Sequence, residues 1–160
     1  MRKICISIDV EPDCPPYLSS QYRGITSGLG SLLALFAEEK VGATFFCTGD
    51  VARKYPLQIE EIVAADHELA SHGDMHLNYT RLNRNQAQQD INNASKTLRQ
   101  FGEVVSFRAP YLQFPPEYLQ LLVDDAYQID SSQAKYKLAY YQNRTAYRQY
   151  PIKLVAASTT

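Results

Sequence analysis

An α/β fold with parallel strands is predicted for this chain, and two observations predict it. Short apolar runs alternate regularly with longer amphipathic stretches, which implies parallel strands joined by right-handed crossovers in a doubly wound sheet or a barrel. The polar residues best suited to chemistry also fall just after the strand candidates, where parallel α/β architectures gather their sites.

The elements follow in order. "KICISID" (3–9) reads as a buried first strand running into acidic residues and prolines. "SGLGSLLALFAEEK" (27–40) has the spacing of an amphipathic helix. "GATFFCTGD" (42–50) reads as a second strand closed by Gly49, and "PLQIEEIVAAD" (56–66) as a helix opened by proline. "HELASH" (67–72) is a short third strand. "RNQAQQDINNASKTLRQFG" (84–102) is a long polar helix with Ile91, Leu98 and Phe101 facing inward and Gly102 as its stop. "EVVSFRAP" (103–110), "PPEYLQLLVDD" (115–125) and "AYQIDSS" (126–132) supply a fourth strand, a fourth helix and a fifth strand.

With 160 residues and no internal repeat or composition break, residues 1–160 are expected to form one domain. Sixteen Lys and Arg against seventeen Asp and Glu leave a net charge of −1, which argues against nucleic acid or an anionic membrane as partner. No apolar run approaches the ~20 residues needed to span a bilayer. The first residues, "MRKICISIDVEPD", read as a strand rather than a signal peptide, so a cytoplasmic location is expected. Three cysteines without CxxC spacing favour free thiols over a disulfide framework.

Two of the three histidines, His72 and His76, stand four positions apart in "ASHGDMHLN". That spacing puts both on one face of a helix and suits chelation. Two histidines and a carboxylate form one of the usual ligand sets of catalytic zinc. The carboxylate is expected from "SIDVEPD", where strand alternation places Asp9 and Glu11 on one face. A hydrolase needs one carboxylate for the metal and another to take a proton from the attacking water, and this pair can supply both. Arg108, at the end of strand four, is placed to pair with the free carboxylate and orient it. Asp130 reads as structural or groove-lining, and Cys14 as a free loop thiol.

Taken together, "SIDVEPD", "ATFFCTGD", "HELASHGDMH", "SFRAPYLQF" and "YQIDSS" resemble, in order and spacing, the polysaccharide deacetylases of carbohydrate esterase family 4. The resemblance runs from residue 3 to about residue 155. It implies an α/β fold of one kind, a distorted, incomplete (β/α) barrel, here lacking its last strands because the chain is truncated at its C-terminus. It also implies metal-dependent hydrolysis of N-acetyl groups on an amino sugar or polysaccharide, with a divalent metal, Zn2+ first among candidates, as cofactor. Asp9 matches the general base, His72 and His76 the metal-binding histidines, and Arg108 the arginine that orients the base. The backbone N–H of Tyr111 matches the oxyanion donor, and His67 a structural position.

Three departures accompany the resemblance. Gly73 stands where the histidine motif usually has a hydroxyl residue. Val10 replaces the usual metal-binding aspartate, so Glu11 is the expected ligand, with Asp13 as the alternative. No histidine follows His76, so the family's general-acid histidine is missing. The alternative function is therefore a non-catalytic carbohydrate-binding remnant, or an incomplete fragment. A metal-free hydrolase of a small cyclic amide, a further reading, is disfavoured by the two histidines. The tyrosine-rich, basic stretch 134–152 suits stacking on sugar rings or simple packing. An exposed sheet edge is expected to drive association.

Overall fold

The computed structural model describes residues 4–18, 20–134, 144 and 150–154. Its centre is a six-stranded sheet, β1 (Ser7–Val10), β2 (Thr44–Cys47), β3 (Glu68–Ser71), β4 (Ser106–Phe107), β5 (Ile129–Asp130) and β6 (Lys153–Leu154). Every pairing is parallel and the spatial order is β1-β2-β3-β4-β5-β6. A doubly wound sheet reverses its strand order at a switch point. Here each strand is added on the same side, which is the winding of a (β/α) barrel left unclosed.

Among the described residues, the helices between the strands include α1 (Leu29–Glu38), α2 (Gly49–Lys54), α3 (Pro56–Ala64), α4 (Arg84–Leu98) and α5 (Leu119–Asp124). Strand alternation separates two environments. Val10, Phe45, Cys47, Leu69 and Phe107 join Val51, Ile59, Ile62, Ile91, Leu98 and Leu122 in the apolar layer. The alternate residues face the other side of the sheet in rows of mixed polarity. Thr44 Oγ1 and Ser106 Oγ both donate to Glu68, at 2.5 Å each. One row nearer the carboxyl rim, Asp9 pairs in register with Phe46 and Phe46 with Ala70.

Four local departures from the sequence expectations have physical causes. The second strand stops at Cys47, and Gly49 opens a helix rather than closing a strand. The Thr48 hydroxyl caps that helix by accepting from Val51 N–H, with Asp50 in the first turn and Arg53 and Lys54 in the last. The first strand starts at Ser7. The 115–125 helix divides into a 3-10 turn, Pro116–Tyr118, and α5. The fourth difference is β6, a sixth strand in a segment the sequence pattern leaves unassigned.

Candidate metal centre

The site forms on the carboxyl rim of β1, β3 and β4. The hydrogen-bond ladder continues past the strand ends: His72 N–H donates to Cys47 O at 2.8 Å and Arg108 N–H to Ser71 O at 2.8 Å. These bonds bring His72 and Arg108 to the same level although 36 residues separate them. The histidine pair is not helical. β3 ends at Ser71, and Gly73 and His76 take left-handed backbone angles, φ 73° and 53°. The two rings meet edge to face, 5.4 Å between centres, because the loop folds back on itself.

Glu11 lies between them. Its Oε2 is 2.9 Å from His72 Nε2 and 2.6 Å from His76 Nε2. Glu11, His72 and His76 form a group whose ligand atoms all lie within 4.8 Å of one another. His72 Nδ1–H donates to the Arg108 carbonyl at 2.7 Å, so a neutral His72 turns the lone pair of Nε2 toward Glu11. Glu11 Oε2 is buried and has no hydrogen-bond donor. A carboxylate oxygen facing an imidazole lone pair calls for a cation among them. Burial pushes the Glu11 carboxyl up; protonated His72 and His76, donating to it and carrying charge, bring it down to about 2, and with neutral rings a bound cation would take that part. Two nitrogens and one carboxylate oxygen converging on one point fit a divalent metal ion.

Asp13, the alternative ligand, is committed elsewhere. Its carboxylate accepts from the N–H groups of Arg23 and Gly24, at 2.8 and 3.0 Å, and caps the turn that leads into α1. Cys14 is exposed and stands outside the ligand group.

Asp9 stands beside the centre, with Oδ2 4.0 Å from His72 Nε2. Arg108 Nη1 donates to its Oδ1 at 2.6 Å. The guanidinium is fixed in turn: Nη2 donates to Ser7 Oγ at 2.9 Å and Ser131 Oγ at 3.0 Å, and its plane covers the Phe46 ring at 4.0 Å. The Ser7 and Ser131 contacts went unread in the sequence. Ser7 shares a strand face with Asp9 and Ser131 follows Asp130 at a strand end, but neither position names Arg108 as its partner. Asp130 is fully buried and accepts from Ser132 N–H and hydroxyl. Burial pushes its carboxyl up to about 7, against the opposing effect of Ser132 and of Arg108.

Tyr111 completes the rim. It sits in the turn Pro110–Leu112 at φ 61°, its ring 4.9 Å from that of His76. His67 packs against Phe36 and Phe45, with ring centres 5.7 and 5.1 Å away. Asp9, Glu11, His72, His76 and Tyr111 line a cleft of about 310 Å3. It shares Pro15, His76 and Tyr111 with a neighbouring cleft of about 540 Å3. Both volumes fall in the range of small-molecule sites. Most of the tyrosine-rich stretch 134–152 lies outside the described residues.

The family model for polysaccharide deacetylases matches residues 12–148. The chain belongs to the polysaccharide deacetylase family. A chitooligosaccharide deacetylase from Sinorhizobium fredii (strain NBRC 101917 / NGR234) is 32% identical over 83 residues, 50% of this chain and 39% of that protein. Among solved structures, a putative polysaccharide deacetylase from Mycobacterium smegmatis superposes with a TM-score of 0.77 at 23% identity, covering 98% of this chain and 58% of that one. A CE4-family pseudoenzyme from Bacillus anthracis gives 0.69 at 16% identity, covering 98% and 54%. At these identities the structural likeness shows the fold. The chain spans 39% and 58% of the first two relatives' lengths. No described helix is long and apolar enough to cross a membrane.

Proposed function

We propose that this chain carries the water-activating centre of a metal-dependent N-deacetylase acting on an acetylated amino sugar or polysaccharide. One observation carries the reading: the Glu11–His72–His76 group with a second carboxylate, Asp9, held at its side by Arg108. Glu11, His72 and His76 are the residues that hold the metal, and zinc suits two imidazoles and a carboxylate. When bound, such an ion acts as a Lewis acid toward the acetamide carbonyl and toward water.

The chain's own residues do the rest. Asp9 takes the proton from the attacking water and returns it to the amine nitrogen as the C–N bond breaks and acetate is released. Arg108 occupies Oδ1 and leaves Oδ2 toward the cleft, so the base has one working oxygen in a fixed direction. The Tyr111 N–H stabilises the oxyanion as the carbonyl becomes tetrahedral. The Tyr111 ring and Pro15 form the wall shared with the larger cleft, which gives the sugar chain room beyond the acetyl group.

The test is acetate release from an N-acetylated chitooligosaccharide with zinc supplied, comparing the chain with Asp9→Asn. The expected result is a fall of about a hundredfold or more in Asp9→Asn with zinc binding retained. Equal rates in the two proteins would remove Asp9 from the mechanism. A second reading draws on the Bacillus anthracis pseudoenzyme of this family, whose fold the chain shares. In it the cleft binds the glycan without hydrolysing it, and the assay returns binding but no acetate from either protein.

A further inference from the structure

The residues between the two histidines form no helix, so their backbone groups need partners from elsewhere. The acceptors are met by α2: Gly49 N–H donates to Gly73 O and Asp50 N–H to Asp74 O, each at 3.0 Å. Of the donors, Gly73 N–H donates to Ser71 Oγ at 3.4 Å, and the other two are met by a single side chain of α4. Asp90 is 5% exposed. Its Oδ2 accepts from Asp74 N–H at 3.0 Å and from the Tyr79 hydroxyl at 2.6 Å, while Oδ1 accepts from Met75 N–H at 3.2 Å. Asp74 and Met75 are the two residues directly before His76. Burial, and then the charge of Asp90, push the Tyr79 phenol well above its ordinary value, so it stays a donor. Carboxylate acceptors make the stronger class of hydrogen bond, and here two consecutive amides and a buried hydroxyl share one.

Gly73 is part of the same arrangement. At φ 73° it lies in the left-handed region, and a Cβ there would stand 2.9 Å from Asp90 Oδ2 and 3.0 Å from the Tyr79 hydroxyl. The space a side chain would fill at position 73 belongs to the carboxylate and its partner. The bracing by Asp90 and the glycine between the histidines therefore require each other.

We propose that Asp90 is a positioning residue of the metal centre: it sets the His72–His76 loop in its ligating shape before any ion enters. The proposal rests on the metal reading above for its purpose, but the loop-setting itself is testable without metal. It predicts that the N–H groups of Asp74 and Met75 are protected from exchange in the metal-free protein because Asp90 holds them. It also predicts that removing the carboxylate weakens zinc binding beyond what lost stability explains.

The experiment uses the full chain as wild type, Asp90→Asn and Ile91→Val. The last weakens the packing of α4 at the neighbouring buried position and keeps the Asp90 carboxylate in place. Amide exchange by NMR on the metal-free proteins, calorimetric zinc titration and thermal unfolding are read on each. The expected result is that Asp90→Asn loses protection at Asp74 and Met75 and binds zinc about 10- to 100-fold more weakly. Ile91→Val lowers the melting temperature and leaves both other readouts near wild type. If Asp90→Asn behaves as Ile91→Val does, Asp90 is only a structural residue and the proposal falls. If the wild type binds no zinc, the metal reading fails, and the exchange data alone decide: retained protection in Asp90→Asn overturns the loop-setting role, and lost protection upholds it. Should Asp90→Asn not fold, Tyr79→Phe replaces it, with a several-fold weaker zinc affinity expected and an unchanged loop and affinity counting against Asp90.

Discussion

At the scale of single residues, the centre is a set of groups each held by a partner that leaves one atom available. His72 gives Nδ1–H to a carbonyl and presents Nε2; Asp9 gives Oδ1 to Arg108 and presents Oδ2. Asp130 is the contrasting case, a carboxyl below the rim that burial pushes up to about 7. Its linkage has a definite sign. Because its folded value lies above the unfolded one, near 3.8, the folded chain holds a proton that the unfolded chain gives up between those two values. Asp130 therefore costs stability increasingly as pH rises from about 4 to about 7. Asn at this position keeps an oxygen for the Ser132 bonds and removes the charge. Asp130→Asn should match the wild type near pH 4 and exceed it at pH 8, by on the order of 4 kcal/mol. Urea unfolding at the two pH values checks this, and a gap independent of pH would contradict it.

At the scale of elements, α4 links packing to chemistry. Its start is a reciprocal cap: Asn83 Oδ1 accepts from Gln86 N–H and the Gln86 side chain accepts from Asn83 N–H, both at 3.0 Å. Asn83→Ala should cost about 1 kcal/mol, read as a shift in urea midpoint, with zinc affinity unaltered; loss of zinc binding would tie the cap to the site unexpectedly. How far such elements were legible depends on where their determinants lie. The capped, periodic α4 and the apolar β2 could be read because their signals are local. The six-residue α2 was hidden, since the cap at Thr48 follows an apolar strand directly and Gly49 resembles a strand stop. The histidine spacing suggested a helix, but Gly73 and the long-range contacts of Asp90 impose a loop. At the centre, Asp9, Glu11, His72, His76 and Arg108 were legible by type and by position at strand ends. The Ser7, Ser131 and Asp90 contacts were not, because hydrogen bonds spanning 101, 23 and 15 or 16 residues leave no periodic trace.

At the scale of the molecule, the six strands lie in one order without closing, so among the described residues β1 pairs only with β2 and β6 only with β5. An edge strand offers unpaired N–H and C=O groups to any other strand, and Ile4, exposed at 87%, stands just before β1. This chain should associate as its concentration rises, which sedimentation velocity would detect; a stable monomer at all concentrations would contradict it. The winding also builds the site. It gathers residues 9, 11, 72, 76 and 108 on one rim and leaves Glu11 Oε2 buried without a donor between two imidazoles. The most direct test is a calorimetric zinc titration of the chain beside His72→Ala. One site per chain is expected, and it disappears in His72→Ala while the variant stays folded. A folded wild type that takes up no zinc, or a site that survives His72→Ala unchanged, would contradict it.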